Sequence, residues 1–269
     1  MSAKAYSIEV AGDFVNKQTH AKPLLALAEL IWNGLDADAS SVLVLETSSD
    51  GLSKSIVVSD NGTGFPHGDA PRLFAHLGGS WKHLTGLSVG KKRFLHGSEG
   101  KGRLKALALG RAVDWHVKYR EKSTVKEFTI SMVNTNPRQV YVSDPIDSQA
   151  KETGVRCVIS ELHKEFEFLT SEHSVIALSE VFATYLKNYP EISITLPAGK
   201  LNVQTAIAAT KIFELSPIEK DGKTHKVEVE LVEWMNPTDR CLYLCNEAGI
   251  PIEQTDLRVH APGLNFSAY

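Results

Sequence analysis

The chain has 269 residues, of which 42% are hydrophobic and 23% charged, a composition typical of an ordinary globular protein. No apolar run reaches the roughly 20 residues of a membrane-spanning helix, and the N-terminus lacks the apolar segment of a signal peptide, so we expect no membrane association. Three cysteines cannot form a disulfide framework, so we expect a cytoplasmic protein. The net charge of -3 argues against charge-driven binding of nucleic acid.

The first predicted element is a helix over 23–37, because a proline suits its first turn and its apolar residues recur at helical spacing. Those apolar residues share one face: Leu24, Leu27, Ile31 and Leu35. Glu29, Asn33 and Asp36 are spaced by four and then three residues, so they share another face. One face is expected to pack against the core, and the polar face is a candidate site.

Two short strands follow, over 41–48 and 54–60, and the second runs into the turn DNGTGF. The segment 68–110 is rich in glycine and is expected to be helical or loop-like, with a short helix in GRLKALALG. It also concentrates basic residues: Lys91, Lys92, Arg93, Lys101, Arg103 and Lys105. We interpret this basic run either as a solvated helix face or as a contact for the phosphates of a nucleotide or DNA.

From residue 112 the hydrophobic period changes to two, which indicates strands. The alternating stretches predict an antiparallel meander and lie at 112–120, 126–133, 139–144 and 154–162. Helices on one side of a mixed, mostly antiparallel sheet predict an α+β fold for residues 1–170, a two-layer α/β sandwich. A smaller α+β domain is expected over 171–269, and we expect it to be a truncated one.

Glu29 and Asn33 lie one turn apart, so a carboxylate and an amide oxygen can reach the same small volume. Mg²⁺ prefers oxygen ligands and commonly takes only one or two from the protein, with phosphates and waters supplying the rest. Asn33 fits that role, and Glu29 could polarise a water for attack. The alternative is the exposed polar face of an amphipathic helix, which the helix taken alone favours.

Two glycine-containing segments extend the candidate site. In the turn DNGTGF, Gly62 and Gly64 would let the backbone approach a flat ligand, and Asp60 offers an acceptor to an exocyclic amine. The alternative for this turn is an Asn-Gly hairpin. In HGSEGKG, three glycines precede a helix, so N–H groups can face an anion. The sequence contains neither a P-loop nor a dinucleotide-binding glycine pattern.

These segments, in this order, resemble the N-box and the two glycine boxes of the GHKL ATPases. The matching residues are Glu29-x-x-x-Asn33-x-x-Asp36-Ala37, Asp60-x-Gly62-x-Gly64 and GSEGKG. The superfamily includes type II DNA topoisomerase subunits, ninety-kilodalton heat-shock chaperones, MutL proteins, histidine kinases and MORC proteins. ELIWNGLDADA and VSDNGTGF look most like the MutL and MORC branches, and the chain as a whole is similar to the MutL, MORC and heat-shock chaperone branches. The resemblance covers about residues 20–165.

The resemblance implies a Bergerat fold that binds ATP and Mg²⁺. It implies that Glu29 is the general base for water, that Asn33 binds Mg²⁺, and that Asp60 accepts the adenine amine beside Gly62 and Gly64. A lid around the phosphates would include Gly97, Glu99, Gly100, Lys101 and Gly102. In LGGSWK, Gly78, Gly79 and Ser80 resemble the segment between the boxes, and Lys82 would lie near the nucleotide.

One motif departs from the family pattern. The last family motif usually reads Gly-Thr, and its Thr helps to hold the adenine-binding Asp. Here Thr153 precedes Gly154. Thr153 therefore either acts from a shifted position or makes no such contact.

Residues 172–269 resemble the transducer domain of the topoisomerase, MutL and MORC branches, in which a lysine often reaches the γ-phosphate. Lys200 and Lys211 are both candidates for that lysine. The resemblance implies slow ATP hydrolysis that closes the lid and drives a nucleotide-dependent homodimer, coupled to a DNA or protein client. The alternatives are an ATP-sensing dimerisation module with negligible hydrolysis, and a histidine kinase catalytic domain. The kinase is disfavoured because too few residues precede Glu29 for a phosphoacceptor hairpin.

Overall fold

The computed structural model describes residues 3–7, 21–48, 54–75, 88, 90–91, 93, 95–96, 102–220, 222–235, 241–245, 251–256 and 265–269. The chain divides into two compact units. The first comprises Met1–Ser171 and Ile192–Lys200, and the second comprises Glu172–Glu191 and Leu201–Tyr269. The chain thus leaves the first unit after Ser171 and returns to it once. Within the part of the chain that is described, no helix is long and apolar enough to cross a membrane.

The described helices of the first unit are α1 (Pro23–Asp36), α2 (Ala70–Ala75) and α3 (Gly102–Lys105), with 3-10 turns at His67–Asp69, Ala106–Ala108 and Glu167–Thr170. Its strands are β1 (Ala3–Ser7), β2 (Ser41–Ser48), β3 (Lys54–Asp60), β4 (Gly110–Glu121), β5 (Thr124–Val133), β6 (Gln139–Ser143), β7 (Ile146–Asp147), β8 (Gly154–Leu162), β9 (Ser193–Leu196) and β10 (Gly199–Lys200). The predicted first helix and the two strands after it are confirmed to within a residue.

Helix α1 carries the apolar face that the sequence predicts. Leu27, Ile31 and Leu35 are fully buried, and burying each such side chain stabilises the fold by roughly 1.5–3 kcal/mol. The helix packs on β3 and on α3. On its polar side Asn33 is exposed and Glu29 is partly exposed, so the two candidate side chains remain accessible.

The strands of this unit form one sheet in the order β1-β6-β5-β4-β8-β3-β2-β9-β10, with β7 paired to β5. Strand β9 runs parallel to β2, whereas the other pairs are antiparallel. The predicted α+β class with a mixed, mostly antiparallel sheet is confirmed. Strands β4, β5 and β6 form the expected meander, but β8 lies between β4 and β3 instead of beside β6.

The sheet has one buried face. Along β4, the buried residues Val113, Trp115 and Val117 alternate with His116 and Lys118, which are partly exposed. This alternation is what the period of two in the sequence predicts.

The second unit contains α4 (Glu172–Asn188), α5 (Val203–Ala206), β11 (Ile207–Lys220), β12 (Lys223–Trp234), β13 (Cys241–Cys245), β14 (Pro251–Asp256) and β15 (Phe266–Ala268). Its strands form a sheet in the order β11-β12-β15-β13-β14. A small core gathers Ala183, Ala206, Val232 and Trp234, and the Trp234 indole N–H donates to Ser267 Oγ at 3.0 Å.

Candidate functional site

Asp60 ends β3 and lies against α1. A Cβ at Gly34 would lie 2.8 Å from Asp60 Cβ, so the glycine in this helix allows the close approach. Asp60 Oδ1 accepts hydrogen bonds from the N–H of Gly62 at 2.8 Å and of Val155 at 3.3 Å. Among the described residues, no donor bonds Oδ2. Within that part of the chain, the two hydrogen bonds to the carboxylate thus both fall on Oδ1.

The surroundings of Asp60 also change its acidity. Burial raises the pKa of Asp60 from 3.8 to about 6, and the hydrogen bonds from Gly62 and Val155 oppose that rise. The carboxyl therefore titrates just below neutral pH, and above about pH 6 it is an anionic acceptor held in place through one oxygen. Perturbed carboxyl groups of this kind are common at functional sites.

The turn after β3 is fixed by its own neighbours. A Cβ at Gly62 would lie 2.5 Å from the carbonyl oxygen of Ala37, and Thr63 N–H donates to that same oxygen at 2.8 Å. Gly64 has φ +61°, and a Cβ there would lie 2.2 Å from the carbonyl oxygen of Lys118. Close backbone packing is thus sufficient to require glycine at both positions. The turn leads into α2 and does not form an Asn-Gly hairpin.

Thr153 lies beside this turn in spite of its unusual place in the sequence. Its hydroxyl donates to the carbonyl oxygen of Gly62 at 2.7 Å. Gly154 has φ +145°, and a Cβ there would lie 2.1 Å from the carbonyl oxygen of Asp60. The Asp60 carboxyl itself is held by the next residue, Val155, through its N–H. Thr153 therefore supports the loop, whereas a backbone group supports the carboxylate.

Glu29 has a partner that sequence reasoning missed. Its Oε1 lies 2.5 Å from Lys105 Nζ, and the exposed fractions of the two side chains are 31% and 22%. Lys105 is the last residue of α3, which packs against α1. In the sequence, Lys105 is recognisable only as a member of the basic run. The pairing joins residues 76 positions apart, so no local signal reveals it.

Two aspartates at the end of α1 hold the segment that precedes the glycine-rich loop. Asp36 Oδ1 accepts from the N–H of His96 at 2.8 Å, and the His96 ring stacks on Trp32 at 4.0 Å between centroids. Asp38, at φ 65°, accepts from the Ser88 hydroxyl at 2.5 Å and from the N–H of Gly90 at 2.8 Å. Asp36 thus anchors a distant segment in addition to ending the helix.

The basic run is not one surface patch. Arg93 is 2% exposed and its guanidinium group donates to the carbonyl oxygen of Ala39 at 2.6 Å, and Lys105 pairs with Glu29. At these two positions the solvated-face interpretation is wrong, because both cations bind partners within the fold. Lys91 is exposed. Several predicted residues lie outside the described part of the chain: Gly78, Gly79, Ser80, Lys82, Gly97, Glu99, Gly100 and Lys101. Gly102 begins α3.

A large cavity of about 730 Å³ lies on the partly exposed face of the sheet. Its lining includes His116, Lys118, Glu127 and Arg156. Asp60 also lines it, but neither Glu29 nor Asn33 does. The cavity volume therefore does not locate the candidate site. The site is defined instead by the Asp60 carboxylate and by the polar face of α1 that carries Glu29 and Asn33.

Comparison with protein families agrees with this arrangement. The family model described as histidine kinase-, DNA gyrase B-, and HSP90-like ATPase matches residues 22–164, which run from α1 through β8. No curated protein matches the chain. The matched range is more than half of the 269 residues and contains Glu29, Asn33, Asp60 and Thr153. The chain therefore belongs to the histidine kinase-, DNA gyrase B- and HSP90-like ATPases, the GHKL superfamily.

Proposed function

We propose that this protein binds ATP with Mg²⁺ and hydrolyses it slowly. The observation that carries the proposal is Asp60, whose Oδ1 is held by two backbone N–H groups while Oδ2 has no described donor. An adenine amine donates two N–H groups, so a fixed acceptor of this kind suits it. Family membership implies ATP binding, and the specific roles below are inferred from the positions of these side chains.

Asn33 suits Mg²⁺. Its side chain is exposed on α1, and an amide oxygen is a ligand that Mg²⁺ accepts alongside phosphates and waters. When bound, Mg²⁺ would withdraw charge from the phosphate oxygens. Asn33 would hold the ion from the protein side, one turn from Glu29.

Glu29 would then act on the water. As the water oxygen attacks the γ-phosphorus, Glu29 takes a proton from it, the bond from the γ-phosphorus to the β–γ bridging oxygen breaks, and ADP leaves. Thr153 and Gly62 would keep the adenine side of the site in place. Phosphoryl transfer depends mostly on positioning and electrostatics, so the geometry of Glu29 matters more than its intrinsic strength as a base.

The wider role is proposed from the family resemblance. Residues 1–170 would form the ATP-binding domain and residues 171–269 a transducer-like domain, in a protein of the MutL or MORC type. Nucleotide would close a lid that includes 97–102 and drive homodimerisation, which would be coupled to a DNA or protein client. Lys200 lies in β10 of the first unit and Lys211 in β11 of the second, so Lys211 is our candidate for a transducer lysine.

A second candidate function is an ATP-sensing module with negligible hydrolysis. In that case the Lys105–Glu29 ion pair would be a structural contact between α3 and α1 that serves no catalytic step. Phosphate release measured beside nucleotide-dependent sedimentation separates the two functions. Dimerisation on ATP without phosphate release would support the sensing module.

Phosphate release and nucleotide binding in the Glu29→Ala variant test the hydrolytic proposal. Removal of the base is expected to lower kcat by about 10²-fold or more and to leave the nucleotide affinity unchanged. Unchanged turnover in Glu29→Ala would rule out the mechanism. Lys126→Met, which alters a lysine paired with Asp147 outside the site, is the control that should keep wild-type rates.

A further inference from the structure

The strongest unassigned feature of the site is the ion pair between Glu29 and Lys105. Lys105 Nζ lies 2.5 Å from Glu29 Oε1, and both side chains are mostly shielded from solvent. Among the described residues no other cation pairs with Glu29. The carboxylate in this ion pair is therefore the proposed general base for the attacking water.

Lys105 is held firmly by its neighbours in the chain. Leu104, Ala106 and Leu107 are fully buried, so the backbone on both sides of Lys105 is fixed in the core. The Lys105 side chain therefore extends to Glu29 from a fixed backbone position. A charge-assisted hydrogen bond from an ammonium group is among the stronger contacts that a carboxylate can accept.

The contact leaves Glu29 usable. Lys105 engages Oε1, and no described residue donates to Oε2, which would accept the proton from water. A glutamate side chain with rotatable bonds and partial exposure would otherwise sample several rotamers. A general base must lie within hydrogen-bond reach of its water, and a misplacement of about 1 Å can lower the rate by about 10²-fold.

We propose that Lys105 is a positioning residue for Glu29, an inference that rests on the proposed hydrolysis. It fixes the orientation of the Glu29 carboxylate through Oε1. It acts through Glu29 and does not itself bind the nucleotide. The proposal therefore predicts a change in turnover without a change in nucleotide affinity.

The test compares Lys105→Met, Lys105→Arg, Glu29→Gln and the double variant Lys105→Met/Glu29→Gln. The readouts are kcat, KM for ATP and the Kd of a non-hydrolysable ATP analogue. Lys105→Met is expected to lower kcat by about tenfold or more while the analogue Kd stays within about twofold. Lys105→Arg keeps a donor cation and should recover most of kcat. In the Glu29→Gln background, Lys105→Met should cause no further loss.

Three outcomes would overturn the proposal: kcat of Lys105→Met within about twofold of wild type, an analogue Kd that weakens as much as kcat falls, or a further loss in the double variant. The second outcome would make Lys105 a phosphate contact. If Lys105→Met does not fold, Lys105→Gln carries the same expectations, with Lys126→Met as the control for a lysine that pairs elsewhere.

Failure of this inference can be told apart from failure of the proposed function. If Glu29→Gln is inactive and Lys105→Met is fully active, only the positioning role is wrong. If the wild-type protein releases no phosphate, or Glu29→Gln turns over normally, the proposed hydrolysis fails and the positioning role fails with it.

Discussion

Replacing Asp60 with asparagine should stabilise the nucleotide-free protein while removing nucleotide binding. Asn keeps an oxygen that can accept from Gly62 and Val155, but it carries no charge to bury. The folded-state pKa of Asp60 is about 6, above the ordinary 3.8. At about 1.4 kcal/mol per pKa unit, removing the buried charge should raise the free energy of unfolding by up to about 3 kcal/mol. The side-chain N–H₂ of the new asparagine would take the place of Asp60 Oδ2 and present a donor to the adenine amine, which is itself a donor. Nucleotide binding should therefore be lost.

The sign of the pH dependence follows from the raised pKa. Protonation of Asp60 favours the folded form, so its contribution to stability is complete below about pH 4 and is lost as the pH rises through about 6. Asp60→Asn should thus be more stable than wild type at about pH 8, and the difference should shrink toward about pH 4.

Urea unfolding at several pH values, with analogue titration by calorimetry, measures both effects of Asp60→Asn. Asp69→Asn, which alters an exposed aspartate paired with Arg72, is the matched control and should show little change. Equal or lower stability of Asp60→Asn at about pH 8, or a stability difference independent of pH, would refute the reasoning.

Two further substitutions test the contacts around the site. Gly34→Ala should push against Asp60, because its Cβ would lie 2.8 Å from Asp60 Cβ, and should cost about 1–3 kcal/mol with weaker nucleotide binding in a fluorescence titration. Gly68→Ala, where a Cβ meets nothing within 4 Å, should leave binding unchanged; equal effects of the two alanines would contradict the packing argument. Asp38→Ala removes the acceptor of three hydrogen bonds, and each buried donor left unpaired should cost about 1–3 kcal/mol of stability at most. The amides of Gly90 and Lys91 should exchange faster. Unchanged exchange there would mean that Asp38 does not anchor this segment.

Local signals in the sequence predicted the elements that surround the site. Helix α1 and strands β2 and β3 follow from a proline at a helix start, from apolar spacing and from β-branched runs, and all three match the structure. The position of Asp60 at a strand end follows from the same signals. These features depend on residues close together in the chain, so one sequence is enough to predict them.

Contacts between distant elements were beyond sequence reasoning. The burial of Arg93 contradicts the usual exposure of a residue in a basic run, and it depends on the Ala39 carbonyl reached through the fold. The Lys105 contact with Glu29 likewise needs α3 to pack on α1. The alternation of apolar and polar residues predicted which segments form strands. It did not predict that β8 lies between β4 and β3, because alternation carries no information about which strands pair in the sheet.

A crystal structure with Mg²⁺ and a non-hydrolysable ATP analogue tests the central claim most directly. We expect the adenine amine at hydrogen-bond distance from Asp60 Oδ2, Mg²⁺ bound by the Asn33 amide oxygen, and Glu29 on the γ-phosphate side with Lys105 still on its other oxygen. A nucleotide whose base does not contact Asp60, or one seated in the cavity lined by His116 and Arg156, would contradict the account.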